Sequence, residues 1–386
     1  MIYFDHAATS FPKPKEVFEA MADYFFNIGA NNGRSGYRMA IKASELVFNI
    51  RELLARLFQI KDSARIVFTK NVTESLNIAI NGFLVKGDQV VTTSMEHNSV
   101  MRPLRYLEQR GQIKIFTVQA NREGLVDPEA FADILKKEKI KLVVVNHASN
   151  VTGSIVPLDV IAEIAHRHGS RLLADAAQTA GAYPVDAASG DIDMLAFTGH
   201  KSLLGPQGTG GLYVREGIEL LPLIRGGTGS NSEKEIQPDF LPDQFESGTL
   251  NIIGLAGLGA GVKYVLEKGV SNIRRQEMKL TEMFIKEAAK IEGVELFGPG
   301  DMDQRVSVVS FNISRCAPST AAYLLDKHFD IACRSGLHCA PSAHSTIGTL
   351  PQGTVRFAFG CFNNAAEVEK GLTALAEISR KEYCKE

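Results

Sequence analysis

Between about residue 60 and residue 215, short runs of apolar, β-branched residues alternate with longer segments of helical pattern. Ile66–Thr69, Gln89–Thr92, Ile113–Phe116, Leu142–Val145, Arg171–Ala174, Met194–Phe197 and Gly211–Val214 read as buried strands. Segments 73–82, 98–110, 128–138 and 157–168 between them read as helices. Such alternation predicts a mostly parallel sheet covered by helices on both faces. Ligands of these sheets bind at the carboxyl ends of the strands.

Five strand ends carry polar groups that would face one cleft. Thr73 and Glu74 follow the first strand, Glu96, His97 and Asn98 the second, and His147, Ser149 and Asn150 the fourth. Asp175 and Gln178 follow the fifth, and Thr198, His200 and Lys201 the sixth. Any one of these fits an ordinary polar loop; together they describe a site.

Beyond residue 255 the pattern changes. A glycine-rich helix (254–269) leads into a charged helical stretch (270–291), then an apolar run over 306–311, a helix near 318–328 and another apolar run over 354–359. This mixture predicts a second, smaller α+β domain. We expect a large domain over 15–255 and a small one made of 1–14 plus 256–386. The segment 226–250, rich in Gly, Ser, Pro and charge, reads as a long loop, and loops of that length are usually functional or interface-forming.

Composition narrows the classes. The 386 residues are 45% hydrophobic and 22% charged, with a net charge of -2. That is an ordinary globular composition without the basic footprint of a nucleic-acid or anionic-membrane binder. No apolar run approaches the ~20 residues of a membrane span, and the start of the chain lacks the pattern of a signal peptide. Five cysteines (316, 333, 339, 361 and 384) at irregular spacing suggest free thiols in a reducing cytoplasm.

Two segments carry the sharpest chemistry. Thr198-Gly199-His200-Lys201 ends an apolar run before a Gly-Pro turn, where a desolvated lysine can hold an aldehyde cofactor as a Schiff base. The plain alternative is a surface lysine. Asp175, at a strand end among small apolar residues, could keep a pyridine nitrogen protonated, or simply cap a helix. Asn71-Val72-Thr73-Glu74-Ser75 opens a helix whose free amides suit a phosphate, with Thr198 and His200 as further donors. His97 could stack on a cofactor ring or move protons, or merely begin a helix.

The second segment, Arg334-Ser335-Gly336-Leu337-His338-Cys339-Ala340, is a short basic loop with a cysteine. Its thiolate would be the nucleophile, favoured by Arg334 and His338. A metal site from Cys333, His338, Cys339 and His344 matches no usual zinc spacing. Cys333 and Cys361 read as inert thiols in apolar strands. Arg356, on an apolar strand, needs an anion: a substrate carboxylate or an internal Asp or Glu.

These segments, with Tyr3-Phe4-Asp5-His6-Ala7-Ala8-Thr9-Ser10, Ser149-Asn150-Val151-Thr152-Gly153 and Phe245-Glu246-Ser247-Gly248-Thr249, resemble the cysteine desulfurase family of class V aminotransferase fold. The compact Arg-x-Gly-x-x-Cys-Ala loop is similar to the Suf-type branch. The resemblance implies a type I pyridoxal-phosphate transferase fold, mostly parallel sheet plus a smaller α+β domain, in a homodimer with its active sites at the subunit interface. It implies Lys201 as the Schiff-base lysine, Asp175 on the pyridine nitrogen, His97 stacked on the ring, and Gln178 and Asn150 on the phenolic oxygen. Thr73, Thr198 and His200 would hold the phosphate, with Gly248 and Thr249 supplied by the second subunit. Arg356, with Asn150 and Arg334, would bind the substrate carboxylate, and Cys339 would accept sulfur.

The implied reaction is conversion of L-cysteine to L-alanine, with Lys201 removing the Cα proton and Cys339 left as a persulfide. An acceptor protein or thiol then discharges the sulfur, for iron–sulfur cluster assembly or another use. Departures are Asn98, where many Suf-type members have a second histidine, His6, where Asn is frequent, and the run Ala340-Pro341-Ser342-Ala343-His344 after the cysteine. Selenocysteine lyase, an ordinary pyridoxal-phosphate aminotransferase and a non-catalytic sulfur-relay partner are the competing readings.

Overall fold

The computed structural model describes residues 1–33, 36–189, 191–231 and 233–380. Strand β1 (Ile2–Tyr3) is followed by helices α1 (Lys15–Asp23) and α2 (Arg38–Leu57). Then come β2 (Ile66–Thr69), α3 (Val72–Phe83), β3 (Asp88–Thr93), α4 (Asn98–Gln109), β4 (Ile113–Val118) and α5 (Pro128–Lys137). Next are β5 (Ile140–Asn146), α6 (Leu158–Arg167), β6 (Arg171–Asp175), β7 (Met194–Thr198) and β8 (Gly210–Val214).

The seven strands β2–β8 form one sheet in the order β2-β8-β7-β6-β5-β3-β4. Only β8 runs against its neighbours. Alternation along each strand feeds two cores: Val143 and Val145 face α2, α5, α6 and α7, while Leu142 and Val144 face α3 and α4. Each such buried Val or Leu contributes roughly 1.5–3 kcal/mol. The predicted strands and helices of this region match within two residues at each end.

No regular element interrupts the described residues between β8 and α7 (Ile252–Lys268), as expected for the long loop. Helix α7 buries Ile252, Leu255, Leu258 and Val262 in the large core, so residue 255 falls inside a helix.

The remainder comprises α8 (Val270–Ala288), β9 (Val294–Phe297), β10 (Val308–Ile313), α9 (Pro318–Phe329), β11 (Ile331–Ala332), β12 (Arg334–Gly336), α10 (Pro341–Ile347), β13 (Thr354–Ala358) and α11 (Ala365–Arg380). Strands β12-β13-β10-β9 form an antiparallel sheet, and β1 pairs with β11. Phe4 joins Phe284, Phe311, Phe357 and Phe359 in this sheet's core, tying the amino terminus to the carboxyl-terminal region. Among the described residues no helix is long and apolar enough to cross a membrane.

Cysteine usage departs from expectation in part. Cys333, Cys339 and Cys361 are free, but Cys316 is disulfide-bonded. Cys333 and Cys361 lie just outside strands and are only half-buried.

Candidate active site

A small cavity at the carboxyl ends of β5, β6 and β7 is lined by His97, Asn150, Asp175, Gln178 and Lys201, with Val72 at the first turn of α3. Five of the predicted residues therefore meet. Thr73 sits beside Val72 on that first turn, and Asn71 caps the helix by accepting from the Glu74 amide at 3.0 Å. The helix start leaves early amides without helical partners, a ready anion site.

Lys201 hangs from the tight connection between β7 and β8. Gly199 is needed here, because a Cβ would strike the Thr209 side chain. Gly210 likewise lets β8 pass 2.8 Å (as a notional Cβ) from the Asn71 backbone at the α3 start. Burial pushes the Lys201 amine down to about 8, against the attraction of Asp175, which raises it. A buried amine that is half neutral near pH 8 is a nucleophile, unlike a surface lysine.

Asp175 ends β6 in register with Asn146 of β5. Burial raises its pKa, while the Ala177 amide (2.9 Å to Oδ1) and Lys201 lower it. Turns, not a helix, follow, so the simple N-cap alternative does not apply. His97 does cap α4: its Nδ1 accepts from the Ser99 amide at 3.0 Å. An amide can only donate, so the ring proton lies on Nε2. Burial, then the charge of Lys201, lowers the His97 pKa to about 4, so the ring is neutral.

Four donors converge on the His200 carbonyl: the Ser10 amide at 3.0 Å, Thr9 Oγ1 at 3.0 Å, Ser10 Oγ at 3.2 Å and Lys13 Nζ at 3.2 Å. They fix the backbone that presents Lys201. The His200 ring keeps Nδ1 buried without a partner, and Asn150 keeps Oδ1 so. Thr198 is buried, with Oγ1 3.5 Å from the Thr209 carbonyl. Gln178 Nε2 donates to the Ala7 carbonyl at 3.2 Å.

Cys339 is exposed, on a loop pinned against this cavity. The Asn98 amide donates to its carbonyl at 2.8 Å, and Asn150 Nδ2 donates to the His338 carbonyl at 2.7 Å. Arg334 Nη2 stands 3.7 Å from Sγ. His338 does not share the role expected of it. It is buried with Nε2 3.1 Å from Thr354 Oγ1, and burial lowers its pKa strongly, so it supplies no positive charge to the thiolate.

Arg356 of β13 is buried directly opposite Arg334 of β12. It donates to the Asn150 carbonyl at 2.9 Å and to Asp5 Oδ1 at 2.8 Å, so the internal carboxylate considered for it exists. Gly248 and Thr249 do not line the Lys201 cavity; Thr249 lies outside α3 near Lys70 and Glu74. Asp5 and Lys13 were not singled out from the sequence, although both lie in or beside the Tyr3–Ser10 segment that carries the resemblance.

Residues 2–370 match the Aminotransferase class-V family, to which the chain therefore belongs; the lysine on the β7–β8 turn, the buried aspartate ending β6 and the α3 start beside the same cavity agree with that class. Within that class, the chain belongs to the cysteine desulfurase family. It is 37% identical to a probable cysteine desulfurase of Methanothermobacter thermautotrophicus over 98% of this chain and 94% of that one. Against a cysteine desulfurase of Escherichia coli O127:H6 the identity is 31% over 98% and 94%. The apo structure of a cysteine desulfurase from Thermococcus onnurineus NA1 superposes with a TM-score of 0.91 at 35% identity, covering 98% of this chain and 94% of that one.

Proposed function

We propose that this enzyme uses pyridoxal phosphate to convert L-cysteine to L-alanine, placing the sulfur on Cys339 as a persulfide. The observation that supports this most is the shared wall between the Lys201 cavity and the Cys339 loop. Asn150 lines the first and bonds the second, while Asn98, next to His97, bonds the Cys339 carbonyl.

The residues fit the cofactor. The half-neutral Lys201 amine suits its aldehyde, Asp175 its ring nitrogen, and His97 its ring face. Gln178 and the second Nδ2 hydrogen of Asn150 suit the phenolic oxygen. The α3 start with Thr73, Thr198 and the unpartnered His200 Nδ1 suit the phosphate. When bound, the cofactor supplies an electron sink for the carbon bearing the amino group.

The chain's own groups do the rest. Arg356, with Arg334 beside it, binds the substrate carboxylate. Lys201, released from its resting role, takes the Cα proton. The Cys339 thiolate attacks the substrate sulfur: the S–S bond forms, the Cβ–S bond breaks, and its electron pair stays with the carbon skeleton, which gains a proton and leaves as alanine. A thiol plus cysteine thus gives a hydropersulfide plus alanine, with no outside oxidant. Exposed Cys339 suits discharge to an acceptor protein or thiol.

The same reading includes a homodimer in which Gly248 and Thr249 complete the second subunit's phosphate site. Its support is their position away from the chain's own cavity and the exposed Phe18, Phe25, Phe26, Met39 and Ile41 on the amino-terminal helices. It also includes a second, smaller domain, expected as 1–14 plus 256–386: the packing of Phe4 with the carboxyl-terminal core supports it, while Leu258 and Val262 of α7 pack in the large core and put the boundary beyond residue 262. Action in the cytoplasm belongs to the same reading.

The test is alanine release from L-cysteine and L-selenocysteine by wild type and Cys339→Ser. Loss of cysteine turnover in the variant, with cofactor retained, supports the desulfurase. Turnover of selenocysteine alone, kept in the variant, favours a selenocysteine lyase.

A further inference from the structure

Arg356 is the buried cation best placed for a substrate carboxylate, yet a carboxylate of this chain already holds it. Its Nη1 donates to the Asn150 carbonyl at 2.9 Å and its Nη2 to Asp5 Oδ1 at 2.8 Å. Nε is buried with no hydrogen-bond partner. Arg334 faces the same space from the register position opposite. The Asp5 backbone is held beside Arg356 by the end of β13: the Ala358 amide donates to the Phe4 carbonyl at 2.7 Å, and the His6 amide to the Ala358 carbonyl at 3.4 Å.

We infer that Asp5 is a built-in competitor for the substrate carboxylate, occupying one edge of the Arg356 fork and leaving Nε and the remaining N–H groups to the amino acid. A guanidinium has five N–H donors and Asn150 and Asp5 use two, so both carboxylates can be bound at once. Two negative groups on one cation repel. Asp5 therefore weakens L-cysteine and L-alanine alike. Weakening of that uniform kind raises KM and speeds release of product without altering the chemical step. This inference rests on Arg356 being the carboxylate site proposed above.

Asp5→Asn keeps the shape and the acceptor at Oδ1 but removes the charge. In the holoenzyme, KM for L-cysteine should fall about tenfold, with kcat unchanged or lowered because alanine is held longer. Propionate, a carboxylate without amine or thiol, supplies a second readout. Relative to chloride at equal ionic strength, it should raise the melting temperature of D5N more than that of wild type, by restoring a counter-ion to Arg356. Asp5→Ser, with a smaller neutral side chain, should show the same two effects.

An unchanged or higher KM in both variants, with no extra stabilisation by propionate, overturns the inference. Arg356→Gln separates the two levels. If R356Q raises KM while the Asp5 variants do not lower it, only the role of Asp5 falls. If R356Q leaves KM untouched, the carboxylate site is elsewhere and both fall.

Discussion

The backbone amide of Asn98 donates to the carbonyl of Cys339 at 2.8 Å. One bond thus joins the nucleophile's loop to the helix that His97 caps. The loop backbone is unusual: His338 and Cys339 both have left-handed φ angles, +47° and +57°. Two such residues in succession are held only by their surroundings, here the Asn98 bond and the Asn150 bond to the His338 carbonyl.

Asn150→Ser removes that second clamp. Desulfuration should slow by at least about tenfold, since small misplacement of a nucleophile is costly. Alkylation of Cys339 by iodoacetamide should become faster, because a freer loop is easier to reach. Parallel slowing of both reactions would mean that the clamp activates the thiol rather than placing it.

Lys201 titrates near pH 8 because it is buried, with Asp175 pulling the other way. Only the neutral amine captures an aldehyde, so cofactor uptake by apoenzyme should rise with pH and level off above about 8. Asp175→Asn removes the opposing pull, and the plateau should begin at lower pH. Stopped-flow absorbance checks both; continued rise toward the range of an ordinary lysine would contradict the burial.

Glu96 is fully buried, and burial holds its carboxyl pKa up at about 8 despite bonds from Thr93 and Asn146. An exposed glutamate in the unfolded chain titrates near 4.5. Between these values the folded state binds more protons than the unfolded one, so stability falls as pH rises through that window and levels off above it. Urea unfolding of Glu96→Gln should show a shallower decline from pH 6 to 8. An unchanged slope would mean Glu96 is ionised in the fold.

Sequence pattern made the seven-stranded sheet legible because each strand is a short apolar run bounded by turns. It missed α1 and α2, where exposed Phe18, Met39, Ile41 and Phe48 blur the helical stripe. The cavity residues could be found because each follows a strand. Asp5 and Lys13 could not, since their partners Arg356 and His200 lie 351 and 187 positions away. Only the tertiary fold brings those pairs together, and nothing local marks them.

The loop carrying Gly248 and Thr249 is anchored by Glu246, whose carboxylate takes two bonds from Arg51 (2.8 and 3.0 Å) and one from the Phe68 amide (2.7 Å). Both side chains are buried, at 7% and 8% exposure. Glu246→Ala leaves the Arg51 charge uncompensated and should cost about 3–5 kcal/mol in chemical denaturation. A loss below about 1 kcal/mol would place the pair with weak surface bridges.

The central claim, that Cys339 carries the sulfur, is tested most directly by mass spectrometry of peptides after one turnover of holoenzyme with L-cysteine and no acceptor. The account predicts one added sulfur atom on the Cys339 peptide, in step with one alanine released, and none on the Cys333 or Cys361 peptides. Alanine formed while the Cys339 peptide stays unmodified would contradict it.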